Sequence, residues 1–188
     1  MVVGVGRLVE KKGFRYLVNA IPDVISEHKN VIFVLVGDGA EKSMLQDLAK
    51  NLKVEKYVRF AGMIDYKTLL DYYNLGDIFV LPSTHDREGN LDDQSVANVE
   101  AMACGKPILT SDLPGNRVII EDGKNGFLLR EQDSKDIANK INNLIKNTKL
   151  RLQMGKRSRE LINEKFSWRA IGKEYTDFFN EILLGKFT

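Results

Sequence analysis

Short apolar, β-branched runs alternate along this chain with stretches in which apolar residues recur every three or four positions. The runs Val2 to Val5, Val31 to Val36, Val58 to Ala61, Asp77 to Leu81 and Pro107 to Thr110 predict strands. Between them, Phe14 to Glu27, Lys42 to Asn51, Tyr66 to Leu75 and Ser95 to Cys104 carry the helical spacing. Strand and helix in alternation, with short connections, imply an α/β protein: a Rossmann-like parallel sheet with helices on both faces, joined by right-handed crossovers. Ligands of such sheets collect at the carboxyl ends of the strands.

The strand pattern stops at Asp133. Ile137, Ile141, Leu144 and Ile145 then mark the apolar stripe of one helix, and Leu150 to Glu164 reads as a second, basic and amphipathic. A last helix starts after Ser167, a suitable N-cap, and presents Trp168, Ile171, Tyr175, Phe178, Phe179 and Ile182 on a broad face. The pattern alone assigns that face to the chain's own sheet, although so much aromatic surface is a large load for one small domain. Residues 1–165 are expected to form one domain and 166–188 an appended aromatic helix.

Composition narrows the function. At 188 residues the chain buries roughly two-thirds of its unfolded surface without staples. A net charge of +2 with both signs scattered gives no basic stripe, which argues against nucleic acid as a partner. The lone cysteine, Cys104, excludes an internal disulfide and sits among small residues as a packing group. His28 and His85 lack metal-ligand spacing, so no protein-held metal is expected. The apolar runs are too short to cross a bilayer and the first residues carry no signal pattern, so the cytoplasm is the expected compartment.

Candidate chemistry gathers at the predicted strand ends. Gly6-Arg7-Leu8 and Lys11-Lys12-Gly13 close the first strand with a cationic loop that opens a helix, offering an Arg fork, a Lys charge and helix N-terminal amides to a diphosphate. Gly37-Asp38-Gly39 adds a turn where backbone could approach a ligand closely. Gly4 and Gly6 do not make a dinucleotide fingerprint, because Val9 stands where its third glycine belongs. Two carboxylates eight positions apart, Asp92 in a loop and Glu100 two helical turns deeper, precede Gly105-Lys106-Pro107.

The run Glu100 to Pro107, Glu-Ala-Met-Ala-Cys-Gly-Lys-Pro, resembles the second half of the Glu-x7-Glu motif of family 4 (group 1) retaining glycosyltransferases. Further stations of that family follow in its order: Gly6 to Gly13, Val36 to Gly39, Phe60 to Gly62, Asp77 to Ser83, Asp122 to Phe127 and Phe166 to Trp168. The resemblance covers nearly the whole chain and implies the C-terminal, donor-binding half of a GT-B fold. It implies that Arg7 and Lys12 hold the diphosphate of a nucleotide sugar and stabilise the leaving group. Asp92, in place of the first Glu, approaches the sugar ring, and these three form the implied catalytic set. Gly6, Gly37, Gln94, Ser95 and Val96 complete the donor site, Glu100 takes the ribose hydroxyls, and backbone around Gly62, Met63 and Ile64 takes the base. The family needs no cofactor fixed by the protein beyond its nucleoside diphosphate sugar.

Departures from the motif are local. Asp93 stands where the family usually has Gly, and Glu88-Gly89 could supply the opening Glu, although it lies twelve positions from Glu100. Asn116-Arg117 replaces an acidic residue after Pro114-Gly115. The resemblance further implies a partner, an N-terminal GT-B domain that supplies most acceptor contacts and covers the last helix. The isolated chain is then expected to bind nucleotide sugar and transfer little, with a glycan or a lipid-linked sugar as acceptor and the inner face of a membrane as a further setting. A nucleotide-sugar epimerase-like enzyme and a non-catalytic nucleotide-sugar-binding module are the alternatives.

Overall fold

The structure, a computed structural model, describes residues 1–91 and 95–184. Its strands are β1 (Val2–Val5), β2 (Phe33–Val36), β3 (Val58–Gly62), β4 (Ile78–Leu81), β5 (Ile108–Ser111) and β6 (Gly126–Leu129). All run parallel, in the order β3-β2-β1-β4-β5-β6. The helices are α1 (Phe14–Glu27), α2 (Lys42–Asn51), α3 (Tyr66–Leu75), α4 (Val96–Ala103), α5 (Pro114–Ile119), α6 (Ser134–Lys146), α7 (Thr148–Leu161) and α8 (Trp168–Leu183).

Every residue of β1, β2, β4 and β5 is buried, which requires cover on both faces of the sheet. One cover layer is α1 packed on α2 and α6; α4 packs with α7. Along α1, Phe14, Leu17, Val18, Ile21 and Val24 lie at helical spacing and are all fully buried. Each such side chain contributes about 1.5–3 kcal/mol by leaving water. The chain runs outward from β1 through β2 to β3, then returns past β1 to β4. That reversal makes β1 and β4 the topological switch point, beside whose carboxyl ends ligands usually sit in this topology.

The ends of α1, α2 and α3 coincide with the periodicity. Two elements were not predicted, β6 and α5. β6 is a four-residue edge strand that opens with a glycine, and α5 is a six-residue helix with proline in its first turn. Neither is long enough to show a period. The predicted helix from Leu150 to Glu164 starts earlier, at Thr148, where Asn147 Oδ1 accepts from the Leu150 amide at 3.0 Å. It ends at Leu161, and Ile162–Phe166 widens into a π turn.

Ser167 caps α8, accepting from the Ala170 amide at 3.2 Å. The helix buries none of its residues, and Trp168 is 90% exposed. The expectation that its aromatic face rests on the chain's own sheet is therefore corrected: Ser167 is extended, which breaks the helical run before α8. No helix among the described residues is long and apolar enough to cross a membrane.

Candidate functional site

At the carboxyl edge of the sheet the loops are tied to one another through their backbones. Gly6 N–H donates to Val36 O at 3.0 Å, Leu8 N–H to Asp38 O at 2.9 Å and Gly37 N–H to Gly62 O at 2.9 Å. On the other side of β1, Thr84 N–H donates to Lys11 O at 2.9 Å. Three glycines are required by this stitching, Gly39 among them, whose Cβ would lie 2.4 Å from Leu8 O. Gly37 has φ +130° and a Cβ there would lie 2.0 Å from Gly6 O; Gly13 has φ +67° and its Cβ would lie 1.9 Å from Pro82 O. The close approach at Gly37, expected to serve a ligand, is first an approach of one loop to the next.

Between these loops lies a cleft of about 380 Å³, lined by Val5, Gly6, Arg7, Val36, Gly37, Asp38, Met63, Ile64 and Leu69. Five residues chosen from the sequence, Gly6, Arg7, Gly37, Met63 and Ile64, therefore share one wall system, and Gly62 immediately precedes it with φ +73°. The walls are mainly apolar and suit a flat ring, while Arg7 supplies positive charge. The Asp38 carboxylate is compensated: Lys42 Nζ at 2.6 Å, with the Gly39 amide at 2.8 Å, holds it below the usual carboxylate range. A larger groove of about 650 Å³ lies on the π turn and α8, between Lys165, Phe166, Ile171, Tyr175 and Phe178. It has none of the strand ends or glycine-rich loops on which sheet-edge ligand sites are built.

On the α4 side, Lys12 is only 6% exposed and its Nζ donates to Ser95 Oγ at 3.2 Å. Two predicted residues 83 positions apart are thus in contact. Ser95 occupies the N-cap position of α4 without capping it, since its hydroxyl is turned to the lysine. Val96, the first residue of α4, is 71% exposed. Because α4 starts only at Val96, Glu100 sits just over one turn into the helix, shallower than expected. Its Oε2 accepts from the Tyr73 hydroxyl at 2.8 Å. Burial first, and then this carboxylate, push the Tyr73 phenol far above its ordinary range, so it is always a donor. Asp92, Asp93 and Gln94 lie outside the described residues.

Glu88, the other candidate for the opening acid, is exposed and takes Asn90 Nδ2 at 3.2 Å inside a tight turn organised by Asp86. Sequence reasoning missed Tyr73 and Leu69, and took Asp38 only as part of a glycine turn. It also missed a link between the loops after β4 and β6, in which Glu131 Oε2 accepts from Thr84 Oγ1 at 3.1 Å and the His85 amide at 3.2 Å. Burial raises the Glu131 carboxyl, but the hydrogen bonds from His85 and Thr84 outweigh it and leave the group below its usual value. Cys104 is partly buried, and burial pushes its thiol up, which fits a packing role.

The sequence matches the family described as glycosyl transferases group 1 over residues 1–161. The chain belongs to this family. The group 1 glycosyltransferase domain is 30% identical to spore coat protein SA of Bacillus subtilis, over 96% of the chain and 48% of that protein. It is 31% identical to the lipopolysaccharide core biosynthesis glycosyltransferase LpsE of Rhizobium meliloti, over 99% of the chain and 50% of LpsE. It spans about half the length of these relatives.

Among solved structures, HepE of Anabaena in complex with UDP superposes with a TM-score of 0.82 at 27% identity, over 96% of the chain and 48% of HepE. TarM of S. aureus, as a G117R mutant with UDP, gives 0.82 at 28%, over 95% of the chain and 35% of TarM. The C-terminal domain of LpcC of Francisella tularensis gives 0.76 at 22% over 89% of the chain and 86% of that domain, a likeness of fold alone. The doubly wound sheet is thus one half of a GT-B fold, as the motif order implied.

Proposed function

We propose that this domain binds a nucleoside diphosphate sugar at the carboxyl edge of its sheet and serves as the donor half of a retaining hexosyltransferase. The observation that carries the reading is the cleft in which Gly6, Arg7, Gly37, Met63 and Ile64, taken from three separate loops, face one space. The base lies against Met63 and Ile64, the ribose reaches Glu100, and the diphosphate lies between Arg7 and Lys12. The sugar is directed toward the loop that carries Asp92. UDP in the structures of HepE and TarM supports a uridine donor.

In the proposed reaction the bond from the sugar's anomeric carbon to the diphosphate oxygen breaks, with its electrons going to that oxygen. The acceptor oxygen bonds to the same carbon, and the acceptor's proton leaves for phosphate or for a protein base. Charge grows on the departing diphosphate, where Arg7 and Lys12 act. A cation as buried as Lys12 is weakly screened, so its attraction for that charge exceeds that of a surface lysine. A second domain covering α8, a glycan or lipid-linked acceptor, and a cytoplasmic setting at the inner face of a membrane complete the proposal. The exposed aromatic face of α8 supports the first of these.

Calorimetric titration of the chain with UDP, GDP, ADP and their glucose and mannose conjugates tests it. One nucleotide series should bind, and Arg7→Ala and Glu100→Ala should each weaken it by about 10- to 100-fold, as expected for hydrogen bonds to charged groups. Equal affinity for wild type and both variants would contradict the assigned site.

A further inference from the structure

From the geometry of α3 and α4 we infer that Tyr73 is a positioning residue that fixes the Glu100 carboxylate beside the cleft and thereby sets the preference of the site for ribonucleotides over 2′-deoxyribonucleotides. The inference rests on the donor-site reading above and goes beyond it by naming the group that makes Glu100 selective.

Both helices descend from the carboxyl edge of the sheet. Leu69 of α3 lines the cleft, and Tyr73, four residues on, lies on the same face one turn deeper. The Tyr73 side chain is 1% exposed, and its ring packs on Phe79 of β4 with centroids 5.8 Å apart. A ring held against a central strand has little freedom, so its hydroxyl is a fixed point. That hydroxyl donates to Glu100 Oε2 at 2.8 Å. Among the described residues no second side chain hydrogen-bonds to the Glu100 carboxylate, so Oε1 is available to a ligand hydroxyl. A glutamate on a helix otherwise samples several rotamers, and a flexible acceptor discriminates poorly because it can turn away when the hydroxyl is missing. Held by Tyr73, it stays in place, and a nucleotide lacking the 2′-hydroxyl leaves a desolvated carboxylate oxygen unpaired.

The test is titration of the chain with UDP and 2′-deoxy-UDP, or with the ribo and deoxy forms of whichever diphosphate binds, for wild type, Tyr73→Phe, Glu100→Gln and the double variant. Tyr73→Phe keeps the ring packing, and thermal melting checks its fold. Wild type should prefer the ribonucleotide by about tenfold or more. In Tyr73→Phe the ribonucleotide should weaken about three- to tenfold while the deoxy form holds, so that the preference collapses. Once Glu100 is Gln, adding Tyr73→Phe should change the preference no further. An unchanged preference in Tyr73→Phe, or equal weakening of both nucleotides, would overturn the inference and leave the donor site standing. So would a wild type that binds both forms alike. A wild type that binds no nucleotide at all would overturn the donor reading and this inference with it.

Discussion

Arg7 and Lys12 share a proposed role but differ in environment, the first on a cleft wall and the second buried against Ser95. Lys12→Ala is expected to remove a buried charge and leave its partners unpaired, lowering stability by about 1–3 kcal/mol as read by denaturant melts. In a full-length enzyme it should lower kcat by roughly a hundred- to a thousandfold. Gly37→Ala is expected to drive a Cβ into Gly6 O and destabilise the chain by about 2–4 kcal/mol, a loss of roughly 4–16 °C in Tm. The glycine-flanked cations were legible in the sequence because few other reasons place Arg and Lys among glycines at a strand end. Tyr73 was not, because its meaning depends on a partner 27 positions away on another helix.

At the scale of elements, legibility followed length and apolar period. The long helices α1 and α6 bury a stripe that repeats. α5 is held instead by a buried polar network. Asn116 Nδ2 donates to Ser111 O at 2.9 Å and Asn116 Oδ1 accepts from Asn98 Nδ2 at 3.0 Å, which places α5 against α4 and β5. Thr110 Oγ1 extends the network to Leu81 O of β4 at 3.0 Å. No hydrophobic pattern could announce such an element. Asn116→Ala should cost about 1–3 kcal/mol, seen as a drop in Tm of roughly 2–12 °C, by removing one buried hydrogen bond from Asn98 Nδ2 and one from Ser111 O. A loss within error would mean that α5 is positioned by its apolar residues after all.

For the whole molecule, α8 stands apart from the core it follows, and chain patterning could show its face without showing that nothing among the described residues buries it. Truncation after Phe166 should leave Tm within about 2 °C of the full chain. Stability against acid has a defined sign. Lys42 and the Gly39 amide lower Asp38, the Thr68 amide lowers Asp65, Arg117 lowers Asp112 and Arg157 lowers Glu121. Groups whose folded values are depressed stabilise above their unfolded values, near 3.9 for Asp and 4.3 for Glu, and that contribution disappears as pH falls through the folded values. Glu41, raised by burial, acts oppositely as pH rises through the same region. With these four and Glu131 depressed against one raised, Tm should fall on acidification below about pH 4.5, and a rise there would contradict the assignment.

The most direct test of the central claim is a crystal structure of this chain with UDP bound. It should show the uracil against Met63 and Ile64, the ribose on Glu100 and the diphosphate between Arg7 and Lys12. UDP seated in the groove on α8, or at the carboxyl edge with Glu100 and Arg7 both out of reach, would contradict it.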